Sequence, residues 1–411
     1  MNTATTADDD CLVDSEDDGG GGQLLMTLDH LPGTVTAADA NQVDGVLSKT
    51  EISKEYLSKL YSKFESALHL SDLKTLGSIL SRYGNLLVNA AFLEGKTPLY
   101  WAIKKSNLRL VELLLEAGAA VNAICDQQWG YTPLLVALMQ HSVDLVELLL
   151  EADADVEQLD RYSMPPLLHA LLVNCSPEIV RLLLYWGAGT DFIDEAGRSL
   201  LHFAANEPKT WPETVTLLLT VGCDELARDN TGQTALHMAA ANGSAEVVEL
   251  LVEFGGEALL TTADKAGLLP LHVALGKSAE GSNSTSPSTS TLDVGVIEPL
   301  ISARTINVVA HSGDSPLRLA VLGGHLELAQ LLLLRGAEVN YRDGDGRSIV
   351  YCVVAFAHST LEQKGGPPFF NLPALTYGGP EAYLEAAVKT VHFLVRYGAD
   401  LEAKDMEGRT R

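Results

Sequence analysis

Short apolar runs alternate with polar turns along this chain at a nearly constant interval, and the rhythm predicts its elements. A four-residue start recurs as Thr97-Pro98-Leu99-Tyr100, Thr132-Pro133-Leu134-Leu135, Pro165-Pro166-Leu167-Leu168, Ser199-Leu200-Leu201-His202, Thr234-Ala235-Leu236-His237, Leu269-Pro270-Leu271-His272 and Ser315-Pro316-Leu317-Arg318. The steps between first residues are 35, 33, 34, 35, 35 and 46. At several starts a hydroxyl, that of Thr97, Thr132 or Ser315, can cap a helix, and Pro98, Pro133 and Pro316 fall on the first helical position, where a missing N–H costs nothing. A second apolar run follows, as in Leu110 to Leu115, Leu145 to Leu150, Ile179 to Leu184, Val247 to Val252 and Leu326 to Leu334, and predicts a second helix with one polar edge. Gly118, Gly187, Gly222, Gly255, Gly336 and Gly398 stand just past these runs, where a left-handed residue closes a helix; Asp153 takes that place in the second copy. Ahead of the starts, Asp194, Asp229, Asp264, Asp343 and Asp405 are each followed three residues later by glycine, a spacing that suits a type I turn.

A unit this small cannot bury its apolar face alone, so neighbouring copies must cover one another. The Thr-Pro-Leu-His-like phrase and its period near 33 resemble the ankyrin repeat family over about residues 95 to 411. That resemblance implies an all-α fold, an ankyrin-repeat solenoid of stacked helix-turn-helix units with hairpin loops. About eight units are expected, at 95–128, 129–160, 161–194, 195–230, 231–265, 266–312, 313–343 and 344–405. The sixth is split by Ser278 to Thr291, nine of whose fourteen residues are Ser or Thr, a composition that cannot bury a core. The eighth starts on a degraded Ser348-Ile349-Val350-Tyr351 and carries a second insertion from about 359 to 385. Both insertions are expected between paired helices, opposite the hairpin tips. Upstream, Tyr56, Leu57, Leu60, Tyr61, Phe64 and Leu68, then Leu73, Leu76, Ile79 and Leu80, keep helical spacing, so 51–94 reads as a helical N-terminal cap, compatible with a worn repeat. Residues 1–50 carry ten acidic residues against one lysine and read as a disordered acidic arm.

Charge and cysteine usage narrow the function classes. The formal net charge of −26 disfavours nucleic acid and acidic membrane surfaces and points to a basic or neutral protein partner. Five cysteines, Cys11, Cys125, Cys175, Cys223 and Cys352, form no C-x-x-C pair, so neither a disulfide framework nor a zinc cluster is indicated and a reducing compartment, cytoplasm or nucleus, is expected. The longest apolar stretch, Ile349 to Ala357, is too short to span a bilayer, and the N-terminus lacks the regions of a signal peptide.

Candidate chemistry dissolves on inspection. His202, His237 and His272 recur every 35 residues, but zinc ligands converge within ~3.5 Å of one another whereas packed helices stand ~8–10 Å apart, so a ladder joining adjacent hairpins is expected. Gly95-Lys96-Thr97 and Gly276-Lys277-Ser278 imitate the end of a phosphate loop without its upstream glycine, since Ala90 and Leu271 stand there. Asp343-Gly344-Asp345-Gly346 hints at a calcium loop, yet Tyr341 and Cys352 occupy positions that need carboxylates. No nucleophile elbow or His-Glu-x-x-His occurs. No catalytic residue, cofactor or metal is therefore expected.

Recognition remains. In the family it resembles, hairpin tips and the exposed face of the first helices line a concave groove that takes partners. Here the variable turn residues are Gln127, Gln128, Trp129, Tyr131, Arg161, Tyr162, Arg198, Gln233, Lys265 and Arg347. Trp, Tyr and Arg dominate interface energetics, which puts Trp129 beside Tyr131 first among them. Trp129 can equally fold over the neighbouring hairpin and cover the core. Ser15 before three acidic residues and Ser286 before Pro287 are phosphorylation candidates, and Asn122 and Asn340 sit where the resemblance admits hydroxylation. The expected function is a non-catalytic interaction scaffold or adaptor. A second reading takes the chain as the ankyrin portion of a longer protein, an enzyme, a channel or a ubiquitin-ligase adaptor, because Glu407-Gly408-Arg409-Thr410-Arg411 opens another repeat.

Overall fold

The structure is a computed structural model that describes residues 54–91, 95–126, 128–206, 211–276, 294–362 and 379–401. The acidic arm, the serine-rich insertion, Gln127 and the middle of the second insertion lie outside the described residues. The chain divides into residues 1–58 and 59–411; of the first, only the opening of one helix is described.

Helices come in antiparallel pairs: α1 Lys54–Leu70 with α2 Leu73–Leu87, α3 Pro98–Lys104 with α4 Leu108–Glu116, α5 Pro133–Met139 with α6 Val143–Glu151, and α7 Pro166–Leu172 with α8 Pro177–Tyr185. The series continues with α9 Leu200–Asn206 and α10 Pro212–Val221, α11 Ala235–Asn242 and α12 Ala245–Leu260, and α13 Pro270–Gly276 with the short α14 Val294–Ile297. It ends with α15 Pro316–Leu322 and α16 Leu326–Leu334, then α17 Ile349–Glu362 and α18 Gly379–Arg396. First helices pack on first helices from α3 through α15, and second helices on second helices from α2 to α14, which makes two parallel rows. Apart from three single-residue bridges in turns, no strand forms among the described residues.

At the three starts that pair a hydroxyl with proline, the local chemistry is the one the spacing predicts. The hydroxyls of Thr97, Thr132 and Ser315 accept the N–H of Tyr100, Leu135 and Arg318 at 3.3 Å, and a proline opens the helix behind each of them. Such a cap contributes about 1 kcal/mol. At the helix ends Gly118, Gly187, Gly222, Gly336 and Gly398 have φ between 87° and 101°, and Asp153 adopts 63°. The fifth unit departs from expectation. There the helical run continues through Gly255 and breaks at Gly256, at φ 57° and ψ −150°, after which the chain winds on to Leu260. A side chain on Gly255 would come within 2.7 Å of Leu259, so close packing rather than a left-handed cap selects that glycine.

The core runs along the interface between the two rows. Leu99, Ala102 and Ile103 of α3 and Leu110, Val111 and Leu114 of α4 are buried, and the same positions repeat through Leu149, Val180, Leu218, Val248 and Ala329. Each fully buried leucine stabilises the stack by about 1.5–3 kcal/mol. The upstream hairpin joins the same core through Leu60, Phe64, Leu76 and Ile79. The second insertion is shorter as a connection than its composition suggests, because α17 and α18 extend the helical backbone over 359–362 and 379–385.

Polar side chains lock one unit to the next. Asn122 donates to the Asp153 carbonyl at 3.0 Å and accepts the Asp155 N–H at 2.8 Å. Asn307 and Asn340 repeat this with Gly336 and Glu338, and with Gly398 and Asp400. The last of these joins α16 to α18 across the second insertion, so the added residues leave the stacking register intact.

Candidate functional site

Five of the turns ahead of the first helices are built on one aspartate each. Asp194 Oδ1 accepts the N–H of Ala196 at 3.0 Å and of Arg198 at 2.7 Å. Asp160, Asp229, Asp264 and Asp343 make the same pair of bonds in their own turns. The backbone closes as predicted, with the Gly197, Gly232, Gly267 and Gly346 N–H each donating to the carbonyl of the aspartate three residues back at 2.8–3.0 Å. A side chain bonding two backbone donors fixes a turn that would otherwise compete with other loop conformers.

Successive turns then bond directly to one another. The N–H of Arg161, Asn230, Lys265 and His311 donates to the carbonyl of Trp129, Ala196, Thr231 and Ala266 in the preceding turn. Gly197 shows why glycine is needed there: its φ is 80°, and a Cβ would lie 2.9 Å from the Asn230 amide nitrogen. The bond from His311 spans the serine-rich insertion, so the row of turns runs straight past it.

The histidines reinforce this row. In His237, Nδ1 accepts the Thr234 N–H at 3.1 Å while Nε2 donates to the Leu268 carbonyl at 3.1 Å; His202 and His272 repeat the pattern toward Gln233 and Val308. A backbone N–H can only donate and a carbonyl can only accept, so the ring is held in its neutral Nε2–H form. Burial pushes the pKa of His237 and His272 down, against the raising effect of the carbonyl bonds. The ladder thus ties adjacent hairpins, and its rings are spent on structure. At the equivalent place in the seventh unit, Arg318 reaches the next turn instead, its Nη1 donating to Asp343 Oδ2 at 2.9 Å.

The proposed contact residues divide into three kinds. Trp129 and Tyr162, from consecutive turns, are exposed at 41 % and 58 %, with ring centroids 6.4 Å apart. Tyr131 lies parallel to Trp129 but is half-buried, edge-on to His169, and burial beside Asp160 and Asp126 raises its phenol pKa. Trp129 thus packs its ring near that of Tyr162 in the next turn while remaining exposed. The charged residues are a second kind. Arg198 Nε donates to Asp194 at 2.8 Å with its guanidinium over Phe203, and Arg347 is held by Asp343 and Asp345. Burial would raise the Asp194 and Asp343 carboxyls, but the N–H and guanidinium bonds outweigh it and hold both below the usual range. Arg161 donates to the Gln128 carbonyl at 2.9 Å and Lys265 to the Asn230 carbonyl at 2.6 Å, so both bridge turns while staying exposed. Of the third kind, Gln233 contributes its backbone, accepting from His202 and donating to Asp229, and Gln128 is exposed. Gln127 lies outside the described residues.

Two tip residues escaped the sequence reading. Leu159 and Ile193 stand immediately before the turn aspartates and are exposed at 52 % and 65 %. Phase alignment of the turns was the available signal, since Arg228 and Arg342 occupy that position elsewhere. With Trp129 and Tyr162 they give three consecutive turns an apolar surface.

The thiols offer no nucleophile on this surface: burial pushes Cys125 and Cys175 up to about 12. Among the described residues no three His, Cys, Asp or Glu side chains are placed to hold a metal ion, and no helix is long and apolar enough to cross a membrane.

A family model described as "Ankyrin repeats (3 copies)" matches residues 64–160, 122–195 and 201–281, and one described as "Ankyrin repeat" matches 312–344. The first of these reaches upstream of the recurring start phrase, into α1 and α2. Among solved structures the chain is similar to the ankyrin repeat domain of Bcl-3, described as a unique member of the IkappaB protein family, at 26 % identity and a TM-score of 0.46, over 58 % of this chain and 97 % of that one. No curated protein matches the sequence.

Proposed function

Since the chain belongs to the ankyrin-repeat family, whose repeats generally mediate protein–protein interactions, we propose that it is a non-catalytic scaffold or adaptor holding a protein partner against its turns and first helices. The observation that carries this reading is the set of exposed apolar side chains on three consecutive turns, Trp129, Leu159, Tyr162 and Ile193, of which Trp129 and Tyr162 stand ring to ring. Exposed aromatics on a rigid frame lose little entropy on binding and supply large contact area. The frame is rigid because every turn backbone there is bonded to its aspartate or to the next turn. The arginines nearest the patch already have carboxylate or carbonyl partners, so apolar contact rather than charge selects the partner, which is neutral or weakly basic. Cytoplasm or nucleus belongs to the same proposal, in keeping with the buried free thiols Cys125, Cys175 and Cys223.

The test is to identify a partner by capture on the full chain and then measure its direct binding to wild type and to Trp129→Ala/Tyr162→Ala. Tyr131 is left intact because its half-buried ring also packs on His169. Each truncation is expected to cost about 2 kcal/mol, so the pair weakens binding by hundreds-fold. Unchanged affinity in the double variant would remove this surface from the function.

A further inference from the structure

A second surface lies between α10 and α12, on the second-helix row. It is an open groove of about 490 Å³ lined by Trp211, Pro212, Glu213, Glu246, Glu249, Leu250 and Glu253. Trp211, the residue just ahead of α10, is 47 % exposed. The four carboxylates are exposed, and among the described residues none has an ion-pair partner. Among the described residues no basic side chain lines the groove.

We propose that this groove docks a basic peptide segment of a protein partner, its lysine or arginine side chains reaching the carboxylates and one cationic stem lying on Trp211. Glu246, Glu249 and Glu253 follow one another at spacings of three and four on α12, so like charges face each other along one helix face, an arrangement that weakens the helix until a cation covers it. Pro212 and Leu250 provide apolar wall between the acids, which lowers the local dielectric and strengthens each ion pair relative to open solvent. An exposed indole beside carboxylates is the environment in which a cation gains from the ring face as well as from charge. The carboxylates spread over roughly two helical turns, about 10 Å, so they fit several cations spaced along a peptide rather than one ion. A metal ion is the poorer occupant for that reason, and nucleic acid is repelled.

The test uses the full chain and a labelled amphipathic lysine/leucine peptide, with the same peptide carrying glutamate for lysine as control, read by fluorescence anisotropy. Glu246→Gln/Glu249→Gln/Glu253→Gln is expected to weaken binding about tenfold or more, and Trp211→Ala severalfold. Glu116→Gln/Glu147→Gln/Glu151→Gln removes the same charge from exposed positions on α4 and α6 and should leave affinity almost unchanged. Trp129→Ala should also leave it unchanged, which separates this groove from the turn surface. All of these residues are exposed, and far-ultraviolet dichroism with a thermal melt checks that each variant folds. Equal weakening by both glutamine triples would mean diffuse attraction by net charge and would overturn the proposal. So would equal binding of the glutamate peptide, or full affinity in either groove variant.

Discussion

The turns and the α10–α12 groove carry the same kinds of residue in opposite states. In the turns, Asp194 and Asp343 hold two backbone N–H groups and one or two guanidiniums each, so their charge is consumed inside the unit. In the groove, Glu213, Glu246, Glu249 and Glu253 face solvent with no cation among the described lining residues. The difference shows that a net charge of −26 says little about where attraction resides. A partner of the turns meets aromatic rings on a neutralised frame, whereas a partner of the groove meets uncompensated carboxylate.

Asp343→Ala should break the locked side of this contrast most severely. It takes one carboxylate from Arg318 and one from Arg347, leaving them Asp314 and Asp345, and unpairs two turn N–H groups, so urea unfolding should show a loss of about 3 kcal/mol in the C-terminal units. His237→Ala leaves the buried Thr234 N–H unpaired and takes one of two donors from the Leu268 carbonyl, which keeps the Asp264 N–H, and should cost about 2–3 kcal/mol by the same measurement. Gly197→Ala sets a Cβ against Asn230 at positive φ and should cost about 2 kcal/mol, mainly by loosening the bond between neighbouring turns.

Acid should act on the turns before the groove. The folded pKa of His237 and His272 lies below the ordinary value near 6.5, so the stability they supply is complete above that pH and falls as pH drops through it toward the depressed folded value. The Asp194 and Asp343 carboxyls, also lowered, add a further loss only as pH falls below about 4. A denaturant midpoint measured at intervals should therefore be level above neutrality and begin to decline as pH falls through about 6.5; a midpoint that stays level until the carboxyls titrate near pH 4 would show that the rings tolerate charge. The smallest effect belongs to the other surface. Glu246→Gln/Glu249→Gln/Glu253→Gln should stabilise the free protein by only a few tenths of a kcal/mol, through relief of like-charge pairs on α12.

Much of this contrast is legible in the sequence, and the part that is not has a physical reason. Helix starts are local, since Thr132 and Pro133 act on the residues that follow them, and the spacing alone places them. The histidine ladder is legible too, because one ring per repeat cannot converge on a common ion. Arg198 and Arg347 read as turn residues for partner contact in the sequence, and the structure adds that the turn folds each onto the aspartate four residues earlier. That commitment depends on the Asp Oδ1 bonds that shape the turn, which spacing does not display. Gly255 likewise reads as a cap by phase, whereas the close approach of Leu259 decides its role. The groove is the least legible feature: Trp211 and the α12 glutamates belong to different units and become neighbours only when second helices pack side by side.

The most direct test of the contrast is the salt dependence of both interactions on one protein. Binding of the turn partner should hardly change between about 0.05 and 0.5 M salt, while the lysine/leucine peptide should lose most of its affinity over that range. A turn partner that weakens as steeply as the peptide would contradict the account, because it would mean that charge at the turns remains available for binding.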